Sequence, residues 1–255
     1  MSNKLIIGNW KMNPGTLDEA KKIVAKTRRT ASNLTTTDTV VCPPFVFLSE
    51  LVPRKPAKHF CIGAQSVFFE EGGPFTGEVS VPMLRDIGVE YVIVGHSEER
   101  KRGDTDEVVA KKVKAVIEAG LTPVVCVGES SRDDERASHF DILKEQIRNS
   151  FAGVPKRAGR DIVVAYEPVW AVGAKESMAP EQIFEMSLFV KKVFSDGFNQ
   201  ESAVKLTVLY GGAINYRNAA DIITIGKVDG LLVGRESLNT VGFVELLKTV
   251  DAIKP

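Results

Sequence analysis

Residues 91–127 open with Tyr91-Val92-Ile93-Val94-Gly95-His96-Ser97-Glu98. A lysine- and glutamate-rich segment follows, in which Val108, Val109, Val113, Val116 and Ile117 recur three and four residues apart, and the stretch closes on Pro123-Val124-Val125-Cys126-Val127. The two short runs are apolar at successive positions, as strands buried on both faces are, and the spacing between them predicts an amphipathic helix. A strand, a covering helix and a second strand make the unit of a parallel sheet. The same rhythm runs along the chain. Leu5–Ile7, Thr39–Cys42, Phe60–Gly63, Ile162–Ala165, Leu206–Leu209 and Gly230–Val233 complete eight strand candidates, and Ile183, Phe184, Met186, Phe189, Val190 and Val193 mark another helix. Eight units in 255 residues suit an α/β fold with a single closed (β/α)8 barrel as one domain over residues 1–255. A doubly wound open sheet is the second choice. No Pro-, Ser- or charge-rich linker divides the chain.

Composition narrows the function classes. The sequence holds 33 Lys plus Arg against 33 Asp plus Glu, a formal net charge of zero, which argues against an electrostatic grip on nucleic acid or on an acidic membrane. Hydrophobic residues at 44% and charged residues at 26% are the balance of a folded globular protein rather than a disordered one. The first apolar run, Leu5–Ile7, is cut short by Gly8 and Asn9, and no run approaches the ~20 residues of a membrane span. Cys42, Cys61 and Cys126 lie inside apolar stretches and read as reduced core residues, so a cytoplasmic protein is expected. His59, His96 and His139 have no second His or Cys at ligand spacing, and no metal site is expected.

In a barrel of this kind the chemistry gathers where strands end, at the C-terminal face. After the first strand come Asn9-Trp10-Lys11-Met12-Asn13, after the fourth Gly95-His96-Ser97-Glu98, and after the sixth Glu167-Pro168-Val169-Trp170. The seventh and eighth end in Tyr210-Gly211-Gly212 and Gly234-Arg235. Pro168 biases Glu167 to an extended conformation and pins its carboxylate at the strand end, where burial under Trp170 and a covering loop would make it a stronger base. Taken singly, each group has an ordinary structural reading: Glu167 a strand-end salt bridge, His96 a core histidine, Lys11 a surface lysine. Together, a carboxylate, an imidazole and an ammonium at three strand ends form a proton-transfer site with a cationic anchor. Gly211-Gly212-Ala213 and Gly234-Arg235, with a short helix starting near Glu236, sit where barrels bind phosphate. Gln65 to Val79 is too glycine-rich for a helix and carries Phe68, Phe69 and Phe75 on what must be a long exposed loop, which predicts a contact with something else.

The segments Asn9-Trp10-Lys11-Met12-Asn13, Phe75-Thr76-Gly77-Glu78, Gly95-His96-Ser97-Glu98, Cys126-Val127-Gly128-Glu129, Ala165 to Gly173 and Tyr210-Gly211-Gly212 resemble, in order, those of the triosephosphate isomerase family. The resemblance covers essentially the whole chain. It implies a TIM barrel that interconverts dihydroxyacetone phosphate and D-glyceraldehyde 3-phosphate through an enediolate, with no cofactor and no metal. By the same resemblance Glu167 is the base and His96 an electrophile kept neutral by a helix beginning near Ser97. Lys11 holds the substrate's charge, Asn9 donates a hydrogen bond beside it, and Glu98 partners the lysine. Pro168 to Met178 corresponds to a lid that closes over the phosphate and contributes the amide of Gly173, while Ala213, Gly234 and Arg235 line the phosphate turn.

The chain departs from the family pattern in places. Ala174-Lys175-Glu176-Ser177-Met178 stands against Thr-Gly-Lys-Thr and a small residue; a positive φ at Lys175 would cost roughly 1 to 2 kcal/mol. Ala213 replaces a serine, a loss of about one hydrogen bond, on the order of 1 kcal/mol. Arg235 replaces a glycine and adds a guanidinium. Glu99-Arg100 stands against paired arginines, and the next stretch is one residue shorter. The resemblance further implies a homodimer through the loop 65–79, which brings Thr76 towards the partner's Asn9 and Lys11. Two other readings remain open at this point. One is an isomerase of a related sugar phosphate such as an erythrulose phosphate; the other is a non-catalytic phosphate-binding barrel.

Overall fold

The computed structural model describes residues 3–131, 138–155, 162–198 and 200–253. Strands β1 (Lys4–Asn9), β2 (Thr37–Cys42), β3 (Phe60–Ala64), β4 (Tyr91–Val94), β5 (Thr122–Val127), β6 (Val163–Tyr166), β7 (Thr207–Gly211) and β8 (Gly230–Val233) pair in sequence order. All are parallel, and β8 returns to β1 with Leu5 opposite Gly230, so the open-sheet alternative falls. The connections carry α1 (Leu17–Ala31), α2 (Leu48–Leu51), α3 (Val81–Asp86), α4 (Ser97–Arg100) and α5 (Asp106–Glu118). Beyond β5 come α6 (Ser138–Ser150), α7 (Pro180–Gly197), α8 (Gln200–Lys205), α9 (Ala219–Thr224) and α10 (Thr240–Asp251). Side chains start several of them: Thr16, Thr105 and Asn239 accept backbone N–H groups of Glu19, Val108 and Gly242, donors that a helix start leaves unpaired.

β4 and β8 coincide with the apolar runs that announce them. β6 and β7 begin one residue later and end at Tyr166 and Gly211, because the ladder with the neighbouring strand, rather than hydrophobicity, decides where pairing stops. Among the described residues no helix is long and apolar enough to cross a membrane.

Both faces of each strand are buried, which explains the unbroken apolar runs. One parity fills the barrel: Leu5, Ile7, Val40, Cys42, Ile93, Val124, Cys126, Val163, Ala165, Leu209 and Leu232 form an enclosed cluster. The other parity, including Ile6, Val41, Ile62, Val92, Val125, Val164, Val208 and Leu231, packs against the helices. Counting on by two along the inner parity gives Asn9, Gly95, Gly128, Glu167, Gly211 and Gly234 at the C-terminal mouth. The alternation that builds the core therefore delivers one carboxylate, one amide and a set of glycines to the same layer.

The loop after β3 is folded on itself rather than loosely exposed. Phe68 N–H donates to Val79 O at 2.8 Å, and the Phe68 ring packs 4.4 Å from Phe69 and 4.7 Å from Phe75. Phe68 and Phe69 are half-buried, contrary to expectation; the contact their sequence demanded is largely with one another, and Phe75 alone of the three is exposed. Lys112, buried on α5, holds the base of this region through Asp104 at 2.8 Å and Ser66 Oγ at 3.4 Å. His139 is buried on α6, its ring 4.2 Å from that of Phe140 and tilted to it. Cys42, Cys61 and Cys126 are all free thiols.

Candidate active site

Lys11, two residues beyond the inner position of Asn9, has φ of 53°, a left-handed conformation that strains a lysine. Three contacts hold it there. Its N–H donates to Asn9 Oδ1 at 3.0 Å, its carbonyl accepts from Gln65 Nε2 at 2.8 Å, and its ammonium donates to Glu98 Oε1 at 2.7 Å. Gln65 Nε2 also reaches Cys42 O at 2.8 Å, so one amide staples the ends of β1 and β2. With its oxygen on the Lys11 N–H, Asn9 keeps Nδ2 as its side-chain donor. Burial pushes the Glu98 carboxyl up, but the Lys11 hydrogen bond and charge outweigh it, with His96 and Arg102 adding, and hold it below the ordinary carboxylate value.

His96 precedes α4 and is buried at 4% exposure. Its Nδ1 accepts the Glu98 backbone N–H at 3.2 Å. A ring nitrogen that accepts carries no proton, so the tautomer assigned by this bond places the N–H at Nε2. Nε2 lies 3.6 Å from Glu167 Oε1. Glu167 is 5% exposed, and among the described residues its Oε2 has no hydrogen-bond partner. A buried carboxylate oxygen with no protein donor is free to accept from a bound molecule.

Glycines make the room. A Cβ at Gly211 would stand 2.5 Å from Glu167 Cγ and 2.9 Å from Oε1, and one at Gly128 would overlap the Glu167 carbonyl oxygen. Gly234 lies open beside Lys11, whose Cε would be 3.9 Å from a Cβ there. Cys126, below Glu167, is pushed well above the ordinary thiol value by burial first and by the Glu167 charge second, so it remains a thiol.

Between buried Pro168 and Met178, residues 173–176 are exposed. The Trp170 indole is 43% exposed, and its Nε1 donates to Glu129 Oε1 at 3.0 Å. Gly128 and Gly211 stand against Glu167 because β5, β6 and β7 are adjacent, and His96 approaches it from the end of β4. Lys175 has no positive φ and so carries none of that strain; the left-handed conformation falls on Gly173, at 77°, which a glycine adopts readily. Gly173 is exposed and stands away from the other groups. Ala213 is half-buried and its carbonyl accepts from Asn218 Nδ2 at 2.9 Å, while Arg235 is exposed at the start of a 3-10 turn, Arg235–Leu238.

Several contributors carry no signal strong enough to single them out in sequence. Gln65 and the buried Glu129 are ordinary polar residues until the fold supplies their partners. Tyr166 Oη donates to Glu129 at 2.9 Å, and Tyr210 Oη accepts the Met178 N–H at 3.1 Å. Arg100 donates to Gly95 O at 2.8 Å and pairs with Asp106, bracing the end of β4 beneath His96. Glu99 pairs with Arg102 at 2.9 Å. Among the described residues no group of His, Cys, Asp and Glu side chains could hold a metal ion.

Comparison with known proteins covers nearly the whole chain. Residues 4–250 match the family model described as triosephosphate isomerase. A protein of Endomicrobium trichonymphae named triosephosphate isomerase is 40% identical over 249 residues, 97% of this chain and 99% of the relative. One of the same name from Alkaliphilus oremlandii is 38% identical over 251 residues, covering 97% and 99%. A third, from Moorella thermoacetica, is 38% identical over 248 residues, covering 97% and 98%. With the closed barrel and near-complete coverage in agreement, the chain belongs to the triosephosphate isomerase family.

Proposed function

We propose that this chain is an aldose–ketose isomerase that interconverts dihydroxyacetone phosphate and D-glyceraldehyde 3-phosphate. The observation that carries the reading is the facing pair at the barrel mouth: Glu167 with an unpartnered Oε2, and His96 presenting Nε2–H 3.6 Å from Oε1. Glu167 takes a proton from the substrate carbon next to the carbonyl, giving the enediolate, and returns it to the neighbouring carbon. His96 Nε2–H donates to the oxygens on those two carbons as charge builds on them. The Lys11 ammonium, already aimed by Glu98 and by its own constrained backbone, stabilises the same charge at no reorganisation cost, and Asn9 Nδ2 supplies a further donor. The phosphate is met by the amides of Gly173, Ala213, Gly234 and Arg235, with the lid of residues 168–178 excluding water. Each of these steps uses only side chains and amides of the protein.

The whole chain acts in this reading as one barrel domain, in the cytoplasm, and as a homodimer through loop 65–79. Exposed apolar side chains support the dimer: Met12 at 91%, Val46 at 78% and Phe75 at 39% follow β1, β2 and β3, which are neighbours in the barrel. Exposed apolar side chains after three successive strands favour an interface there. The test of the activity is a coupled assay on both triose phosphates, run beside a four-carbon erythrulose phosphate. Isomerisation with kcat/KM highest on the trioses is expected. Folded protein that binds 2-phosphoglycolate without turning over either triose would defeat the proposal, and a higher kcat/KM on the four-carbon substrate would reassign it.

A further inference from the structure

The segment between β6 and α7 is anchored at both ends to one buried group of side chains. At its near end Trp170 Nε1 donates to Glu129 Oε1 at 3.0 Å, and Val169 N–H donates to the Glu129 carbonyl at 2.9 Å. Tyr166 Oη donates to the same carboxylate at 2.9 Å. At its far end Met178 is 2% exposed, its N–H donates to Tyr210 Oη at 3.1 Å, and its Sδ lies 3.9 Å from Tyr166 Oη. Between these ends Gly173, Ala174, Lys175 and Glu176 are exposed. The Tyr166 proton goes to Glu129, so the Met178 sulfur meets the Tyr166 hydroxyl as a packing contact. One tyrosine therefore touches the anchor of each hinge. A small side chain at 178, which the family pattern has, would end at Cβ, and the far hinge would keep only its backbone bond to Tyr210.

We propose that Met178 is a positioning residue that couples the two hinges of this lid. By seating its thioether against Tyr166, it ties the far hinge to the Tyr166–Glu129 pair that holds Trp170 at the near hinge, so that the lid opens and closes as one body. The coupling matters for the reaction because an enediolate under a half-open lid loses its phosphate by elimination, whereas one under a closed lid is reprotonated. It also fits the other local departures. With Ala174 and Ala213 lacking hydroxyls at the tip and the phosphate turn, the lid of this chain has fewer polar contacts to draw it shut, and rigid hinges limit the number of partly closed arrangements. The inference rests on reading residues 168–178 as the lid of an isomerase.

The test uses Met178→Ala and Met178→Leu in the full-length chain, with Leu keeping the volume without the sulfur. Hydrogen exchange is followed in peptides covering 168–172 and 176–180, with 207–211 in β7 as the control for global opening. In the alanine variant both lid peptides should exchange faster, by about tenfold or more, the order set by emptying the volume of a buried methionine side chain. The control should be unmoved, and leucine should restore most of the protection. Methylglyoxal formed per isomerisation should rise in the alanine variant and return towards wild type with leucine. Acceleration confined to 176–180 would overturn the coupling, and so would an unchanged methylglyoxal fraction in an alanine variant of an active enzyme. Wild-type protein that fails to isomerise would defeat the functional reading instead, leaving the exchange of 168–172 to decide the coupling by itself.

Discussion

Gly211→Ala is the sharpest test of how the site is built. Gly211 ends β7 on the inner parity, and it has no positive φ that an alanine would strain, so the substitution adds one methyl group and nothing else. That methyl would lie 2.5 Å from Glu167 Cγ, 2.9 Å from Oε1 and 3.1 Å from Cδ. Carbon atoms rest at about 3.5–4.0 Å, so the carboxylate must retreat by about 1 Å. A misplacement of that size costs on the order of 100-fold in rate, or about 2.7 kcal/mol of barrier. In the proposed reading the phosphate is held elsewhere, so the loss should fall on kcat, with KM and the affinity for 2-phosphoglycolate little changed. Steady-state kinetics in a coupled assay measure this, beside a thermal melt to show that the barrel is intact. Unchanged kcat at unchanged Tm would refute the argument that glycine at this position exists to make room for Glu167.

Four further outcomes are expected. Glu167→Ala should lower kcat by several orders of magnitude with modest change in inhibitor binding, because proton abstraction exists only in the transition state; an active variant would remove Glu167 from that role. Ala213→Ser should lower KM by about fivefold if its hydroxyl regains one hydrogen bond to phosphate, worth about 1 kcal/mol, and an unchanged KM would show that the turn binds through amides alone. The Glu98 carboxyl is held below its ordinary value, chiefly by Lys11 against the opposing effect of burial. The pair therefore contributes stability above the ordinary carboxylate pKa and loses it as pH falls through the lowered one. Glu98→Gln should accordingly flatten the acid limb of Tm against pH, and identical limbs would count against the pair. Phe75→Glu, on the exposed tip of loop 65–79, should shift sedimentation towards monomer at micromolar concentration with loss of activity; a fully active monomer would contradict the dimer.

Much of this was legible before any tertiary contact. The apolar runs at 91–94 and 230–233 are strands with those bounds, and the polar residues that follow strands, Lys11, His96, Glu98 and Glu167, do meet at one mouth. The segment 168–178 was less legible. That Trp170 bonds Glu129, and that the positive φ falls on Gly173 with none at Lys175, follow from tertiary contacts, because between elements no periodicity constrains which way a side chain points.

The sequence by itself determined the class of fold and the layer in which chemistry sits, because burial on both faces and the two-residue repeat of a strand are local properties written residue by residue. Only the tertiary structure decided which groups face which. Lys11 and Glu98 are 87 residues apart along the chain, Tyr166 and Glu129 37 apart, and Gln65 reaches Lys11 across 54. The Tyr166–Glu129 bond needs only the pairing of β5 with β6, and Gln65 reaches Lys11 over the β1–β2–β3 ladders, whereas Lys11 meets Glu98 across the mouth because eight strands close into a ring with β8 against β1. Adjacency of β5, β6 and β7 likewise makes the glycines at 128 and 211 the room that Glu167 occupies, while Gly234 stands open beside Lys11.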